Sequence, residues 1–532
     1  MNGERLLVTG ARIWTAGQPW ESPLGDLLID SGVVEAVEPA GTLDEGSFSG
    51  IRRIKLPGGV ILPSFFDAHL HLDLGGVFLS RIALRDCTSP SEVLTRLAHE
   101  REPGEGWMIA IGLPEGAWPS YEELHRATKG RPAILFTRDY HSAFVNPEGM
   151  VELGLTADTP PPPGGMFDKD DSGQLTGLLR ENAVRWAENR LPAPTDRQRQ
   201  DNLLLAANNL TEWGVLGASD ASDNSSWDAL RILDRENRMP LRIEHWHRCL
   251  ELDETCLEIE RVDLPRLKRL RIKTFSDGAL GSRTAWMLDD YADTPGVRGG
   301  PVPELKTYHQ FLQRAVEKGW SHTAHAIGDA AVRWVGEVLS QFPVPGLPHR
   351  IEHVQHIDVR GIAQLTNSSV LASIQPTHRL DDSGMLVPRL GAERAEFSYP
   401  QRSLLRNGSG VIMGTDWPVV SADPRRTIFA AMSQRKPGEG MPGEELSLEQ
   451  TLTAMTCHPA EAAGFHRVGR LSHGYAADFI WLPDDPGRDP SYWREMKTGG
   501  VWAGGHLLHA NHGALTYSLP KRTETRVDKE KT

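Results

Sequence analysis

One feature constrains this chain above all others. Apolar, strand-like runs recur along it, and several end on a side chain of metal-binding type. His69 and His71 close Leu62-Pro-Ser-Phe-Phe-Asp-Ala-His-Leu-His71, and Asp416 closes Val411-Ile-Met-Gly-Thr-Asp416. Between them Lys273, His325 and His353 sit at or near the ends of similar runs. A Gly, Pro or loop signal follows in each case. Polar groups gathered at the C-terminal ends of successive strands are how a βα barrel builds a site.

The spacing of the runs fits that architecture. Candidate strands begin at Gly59, Gly214, Pro240, Leu270, Trp320, His349, Val370 and Gly410, with room for one helix after each from the second onward. The first gap is different. Residues 79–200 hold strand signals at Trp107–Gly112 and Ala133–Thr137, a proline-rich loop at Pro160–Gly165 and a helix-like stretch at Leu178–Ala187. A structured insertion on the catalytic side is expected to cover the site. Short strand signals crowd the first sixty residues and return at Gly474–Leu482 and Gly500–Leu508. Neither set suffices for a stable sheet by itself, so the two ends are expected to pair. The expected division is α/β: a composite β-sandwich domain from residues 1–61 and 466–517, a barrel domain over 62–465 that includes the insertion, and a mobile tail at 518–532.

Composition excludes several classes. A chain of 532 residues with 39% hydrophobic and 24% charged residues is globular rather than disordered. Its formal charge of −14 argues against nonspecific nucleic-acid binding and against an anionic membrane surface. No apolar run approaches membrane-spanning length, and the N-terminus lacks the pattern of a signal peptide. Four cysteines without a CxxC pair argue against a disulfide framework and for inert thiols. A cytoplasmic location is therefore expected.

Residues i and i+2 of a strand share a face, so His69 and His71 can reach one ion. Lys273 lies inside an apolar strand, where an ammonium is costly to bury. It is read as an ion-paired lysine, a catalytic lysine of lowered pKa, or a lysine carboxylated by carbon dioxide into an anionic bridge between two cations. Neutral imidazole is a common ligand for zinc-like ions. That suits His325 and His353, whose local rivals are His322 and His356. Asp416 is suited to bind metal and to take a proton from water. Asp139 and His141 of the insertion, Arg283 and Trp286 after the lysine strand, and Trp417 beside Asp416 are substrate-pocket candidates. Arg283 could clamp a carboxylate. His245 and His247 repeat the i, i+2 pattern and are read as pocket or supporting residues.

These motifs resemble the amidohydrolase superfamily, in its amidohydrolase-3, YtcJ-like branch. The resemblance runs from the N-terminal strands to about His509. It is carried by Pro63–His71, Lys273–Ala285, His325–Asp329, Arg350–His353 and Gly414–Pro418, with Arg138–Asn146 resembling the branch's inserted region. It implies a distorted (β/α)8 TIM barrel and hydrolysis of C–N bonds, as in N-substituted formamide deformylases. It implies His69 and His71 on one divalent metal, zinc by ligand type, with carboxylated Lys273 bridging to a second metal on His325 and His353. Asp416 is implied as ligand and proton shuttle, a small molecule as substrate, and a homodimer is allowed. Two other readings stand beside this one: a mononuclear deaminase of an aminated heterocycle, and a noncatalytic metal-binding protein.

Overall fold

The computed structural model describes residues 5–43, 51–99, 106–114, 117–137, 141–366, 370–408 and 410–511. These residues form two compact units, the segment Asp73–Ala206 and the chain on either side of it.

In the larger unit the two ends of the chain share one eight-stranded sheet. Strands Arg5–Ile13, Leu24–Asp30, Val33–Pro39, Arg52–Lys55 and Val60–Pro63 join Phe479–Leu482, Gly500–Ala503 and His506–Ala510. The junction is the antiparallel pairing of Val60–Pro63 with Phe479–Leu482. Alternate residues such as Leu6, Val8, Leu27, Ile29, Phe479 and Trp481 bury one face, as period-two patterning dictates. Among the described residues the expected second layer of a sandwich is not seen as a separate sheet. Residues 512–532, including the expected tail, lie outside the described residues.

The same unit holds eight parallel strands in chain order: Phe65–Leu70, Val215–Asp220, Arg242–His245, Arg271–Phe275, Ser321–Ala326, Arg350–His353, Leu371–Ile374 and Val411–Met413. The expected first strand is displaced. Gly59–Leu62 belongs to the terminal sheet, and the parallel series starts at Phe65. The eight strands fall in two ladders, not one closed ring. The third strand changes partner near Trp246: Ile243 and Glu244 pair with Leu267 and Lys268, whereas His247 and Arg248 pair with Ile272 and Lys273. The last strand meets the first through one bridge, Leu70 to Trp417, and through the bonds His71 N–H to Trp417 O (2.8 Å) and Asp416 N–H to His69 O (2.6 Å). Gly414 permits that approach, because a Cβ there would lie 2.3 Å from the His69 nitrogen.

Charges fill the space inside the parallel strands. Glu244 pairs with Arg271 (3.0 Å) and Arg350 (3.4 Å), and Arg350 pairs with Glu352 (3.0 Å), all fully buried. Buried charges persist only when paired, and these two acids and two arginines provide that pairing for one another.

The segment Asp73–Ala206 has its own six-stranded sheet and apolar cores. The expected strands at 107–112 and 133–137 are present as Met108–Leu113 and Ala133–Thr137. The stretch read as helical from Leu178 divides instead into a strand, Leu175–Glu181, and a helix, Asn182–Glu188. The change falls at Glu181, whose φ of 53° breaks both periods.

A second correction concerns the cysteines. Cys249 and Cys256 form a disulfide, with Cα atoms 5.9 Å apart. A short helical turn at Thr255–Leu257 returns the chain to bridging distance. Cys87 and Cys457 are buried free thiols. Among the described residues no helix is long and apolar enough to cross a membrane.

Candidate active site

Five of the six residues picked out as ligands lie at or just beyond the C-terminal ends of parallel strands, and Lys273 is the middle residue of Arg271–Phe275. His69 is the penultimate residue of the first strand, and His71 lies just beyond its end. His71 Nε2 is 3.1 Å from Asp416 Oδ1, and His69 Nε2 is 3.6 Å from the same oxygen. Ligand atoms of these three residues all lie within 4.8 Å of one another. The His69 ring is 5.1 Å from that of His353, which is 4.5 Å from that of His325. His353 and Asp416 both have positive φ, 82° and 64°. That region is unfavourable for non-glycine residues, and such strain concentrates where side chains must be aimed.

Three of the four imidazoles are held through Nδ1, whereas His325 is held through Nε2, 3.0 Å from Gly278 O. His69 Nδ1 lies 2.8 Å from Glu352 Oε2, His71 Nδ1 3.2 Å from Ala221 O, and His353 Nδ1 2.9 Å from Gln375 Oε1. Donation from each Nδ1–H leaves each Nε2 lone pair for a cation. Asp67 ties the first strand to the last, accepting from His69 N–H (3.0 Å), Thr415 N–H (3.0 Å) and Thr415 O–H (2.7 Å).

The electrostatics suit cation binding. Burial, with Lys273 nearby, lowers the His325 pKa to about 4. Burial also holds His69 and His353 below the usual imidazole value. All three are therefore neutral at pH 7, the form of imidazole that could bind a cation. Burial raises the Asp416 pKa, but the neighbouring His69, His71 and His378 outweigh it and bring the carboxyl to about 2. Lys273 is 1% exposed, and its Nζ has no hydrogen-bond partner. It lies over the rings of Phe275 (5.2 Å) and Trp246 (5.5 Å). Burial lowers its pKa to about 8, against the pull of Glu352 and Asp416.

A divalent cation fits this donor set. His69, His71 and Asp416 offer two imidazoles and a carboxylate, common ligands for zinc-like ions. For a second cation His325 and His353 provide two donors, and the orphaned Lys273 Nζ is the group that could complete them. An unmodified ammonium has no lone pair to give.

Most of the pocket candidates have partners of their own. Arg283 is committed to Asp293 through two hydrogen bonds of 3.0 and 2.9 Å, and Asp293 also takes Arg389. Trp286 is half-buried, its ring 6.5 Å from that of Trp334. Trp417 is 5% exposed and contributes its backbone to strand closure. His141 pairs with Glu181 (2.9 Å) inside its own unit, and Asp139 lies outside the described residues. His245 is a core residue on Asp220 (3.0 Å). A ring nitrogen of His247 lies within 4.8 Å of the sulfurs of Cys249 and Cys256.

Glu352, Asp67, Gln375 and His378 were not singled out from sequence. His378 Nε2 lies 3.6 Å from Asp416 Oδ2. Glu352 and Asp67 carried a signal, since each is an acid inside an apolar strand next to a ligand histidine. Gln375 and His378, beyond the seventh strand, carried none.

A model of the amidohydrolase family matches residues 53–508. The chain belongs to the amidohydrolase family. Its relatives place it in the amidohydrolase-3, YtcJ-like branch. It is 28% identical over 453 residues to the putative amidohydrolase YtcJ of Bacillus subtilis, covering 81% of this chain and 85% of that one. It is 24% identical over 472 residues to the N-substituted formamide deformylase of Arthrobacter pascens, covering 81% and 85%. Among solved structures, an uncharacterized metal-dependent hydrolase from Pyrococcus horikoshii superposes with a TM-score of 0.75 at 26% identity, covering 95% of this chain and 100% of that one.

Proposed function

We propose that this amidohydrolase is a metal-dependent hydrolase of an amide or related C–N bond other than a peptide bond, acting at the cluster of His69, His71, Lys273, His325, His353 and Asp416. The observation that carries the reading is the convergence of His69, His71 and Asp416 ligand atoms within 4.8 Å beside a buried, partnerless Lys273 Nζ. The relative named as an N-substituted formamide deformylase supports formamides and simple amides as the first substrates to try. In this reading the eight parallel strands act as a distorted barrel.

His69 and His71 would hold one cation with Asp416. His325 and His353 would hold a second, and Lys273, once carboxylated, would add an anionic oxygen donor. Zinc suits the ligand types. Bound divalent cations supply Lewis-acid polarisation of the carbonyl and a water acidified toward neutral pH. Asp416 stays ionised, faces His71 and His378, and is placed to accept the proton of the attacking water. It then returns that proton to the leaving nitrogen. Glu352 and Gln375 keep His69 and His353 in the tautomers that present Nε2.

The test is turnover of a panel of N-substituted formamides and acetamides by wild type and by Asp416→Asn. General acid–base catalysis contributes typically about 10²–10⁴-fold, so the variant should lose at least about 100-fold in kcat while keeping its fold. Wild-type-like turnover in Asp416→Asn would remove Asp416 from the proton path. Ammonia release from aminated heterocycles, with no amide cleavage, would favour a deaminase.

A further inference from the structure

Arg248 is a cation beside the ligand cluster that the proposed chemistry does not use. It follows the third strand and is paired in register with Lys273 in the neighbouring parallel strand. Residues so paired direct their side chains to the same face of the sheet. Phe275, two residues beyond Lys273, confirms the direction. Its ring receives Lys273 Nζ at 5.2 Å and Arg248 Cζ at 5.6 Å, and it lies 5.7 Å from the ring of His325. One aromatic ring therefore touches the lysine, the arginine and a ligand histidine.

The backbone of Arg248 is fixed. Asn224 bonds to it on both sides, accepting from Arg248 N–H (2.9 Å) and donating to Arg248 O (2.9 Å). On the opposite face of the strand, Cys249 is tied by its disulfide and by a bond from its N–H to Lys273 O (2.9 Å). The guanidinium is not matched in the same way. Its Nε is buried without a hydrogen-bond partner. The carboxylate in ion-pair reach, Asp223, is 3.9 Å away and 59% exposed. Asp223 is also engaged in capping a helical turn through Ser225 N–H (3.0 Å). Elsewhere inside the strands the arginines have close acids: Arg271 has Glu244 at 3.0 Å and Arg350 has Glu352 at 3.0 Å.

A guanidinium on a fixed backbone, with a buried Nε that has no hydrogen-bond partner and on the same aromatic ring as Lys273 and His325, is suited to bind an anion that arrives with the substrate. A guanidinium fork matches a carboxylate bidentately. We propose that Arg248 binds a carboxylate carried on the substrate, which makes the substrate class N-acylated amines bearing a carboxylate near the scissile bond, such as N-formyl or N-acyl amino acids. This rests on the hydrolase reading above. It moves the role of carboxylate clamp from Arg283, which Asp293 already occupies.

The experiment compares N-formylphenylalanine with N-formyl-2-phenylethylamine, two probes that differ only by the carboxylate. Wild type, Arg248→Met and Arg248→Lys are assayed as metal-loaded full-length protein, with metal content and melting temperature recorded for each. A charge-assisted pair is worth enough to predict a wild-type preference of roughly 10–100-fold in kcat/KM for the carboxylated probe. Arg248→Met should abolish that preference, mainly through KM for the carboxylated probe. Arg248→Lys should restore part of it. A merely structural role would lower both probes together, along with metal content or melting temperature, and that result would overturn the proposal. So would an unchanged preference in Arg248→Met, or no preference in wild type. Should neither probe be cleaved, calorimetric binding of N-formylphenylalanine decides the clamp independently of turnover. Binding lost in Arg248→Met supports the clamp while the hydrolase reading fails. No binding to wild type overturns it.

Discussion

Replacing Glu352 by glutamine removes one charge and changes almost no volume, yet it should disturb both stability and metal affinity. The carboxylate serves three partners. Oε1 accepts from Thr323 O–H (2.6 Å) and pairs with Arg350 (3.0 Å), while Oε2 lies 2.8 Å from His69 Nδ1. A carboxamide offers one oxygen and one NH2 group, so it cannot accept on both sides. The cation takes precedence, which turns the NH2 toward His69. His69 Nδ1 must then accept, its proton moves to Nε2, and the lone pair that faces Asp416 is lost. Supporting groups of this kind typically govern metal affinity by about 10–100-fold. Breaking a buried ion pair costs about 3–5 kcal/mol when one partner is stranded. Arg350 retains Glu244 at 3.4 Å and Ser219 Oγ at 3.0 Å, so the low end, about 3 kcal/mol, is expected. Competition against a chromophoric chelator reads the affinity, and urea unfolding of the metal-free protein reads the stability. Metal affinity within about twofold of wild type, well below the expected 10–100-fold loss, would refute the tautomer argument.

Two further predictions concern regions away from the ligands. His349 is buried, accepts from His322 N–H (3.0 Å) and lies 2.6 Å from Phe342 O; burial, with Arg271 nearby, lowers its pKa to about 4 from 6.5. The unfolded chain takes up this proton as pH falls below 6.5 and the folded chain does not until about 4, so stability drops across that window. In His349→Gln the drop should be smaller by about 3 kcal/mol at its acid end, read by urea unfolding of metal-free protein at several pH values; an unchanged pH slope would count against it. The Cys249–Cys256 disulfide closes a short loop, and the chain-entropy relation gives about 2–3 kcal/mol for it. Alkylation of unfolded, unreduced protein should label only Cys87 and Cys457, and reduction should lower the melting temperature; four labelled thiols without reduction would contradict the bond.

The clustering of these side chains was legible because its members carry strong local signals. An acid, lysine or histidine closing an apolar strand is costly unless it has a task, and His69, Lys273, His353 and Asp416 each sit in such a place. The order of strands was legible from the runs themselves. What was not legible depends on partners distant in sequence. Arg283 lies in a loop after the fourth strand and Arg248 in the short strand pair that follows the third; only the fold shows that Asp293 occupies one and that Phe275 holds the other beside Lys273. Gly59–Leu62 is as apolar as a barrel strand, and its assignment to the terminal sheet rests on Phe479–Leu482, more than 400 residues away. Cys249 and Cys256 are seven residues apart, and the turn that joins them has no CxxC signature.

The most direct test of the account is elemental analysis of protein purified with bicarbonate and without chelator, beside Lys273→Ala. The two-cation reading predicts about two divalent ions per chain in wild type and fewer in the variant. One ion in both proteins would take Lys273 out of the site and favour the mononuclear deaminase. No metal in either would contradict the assignment of this cluster as a metal centre.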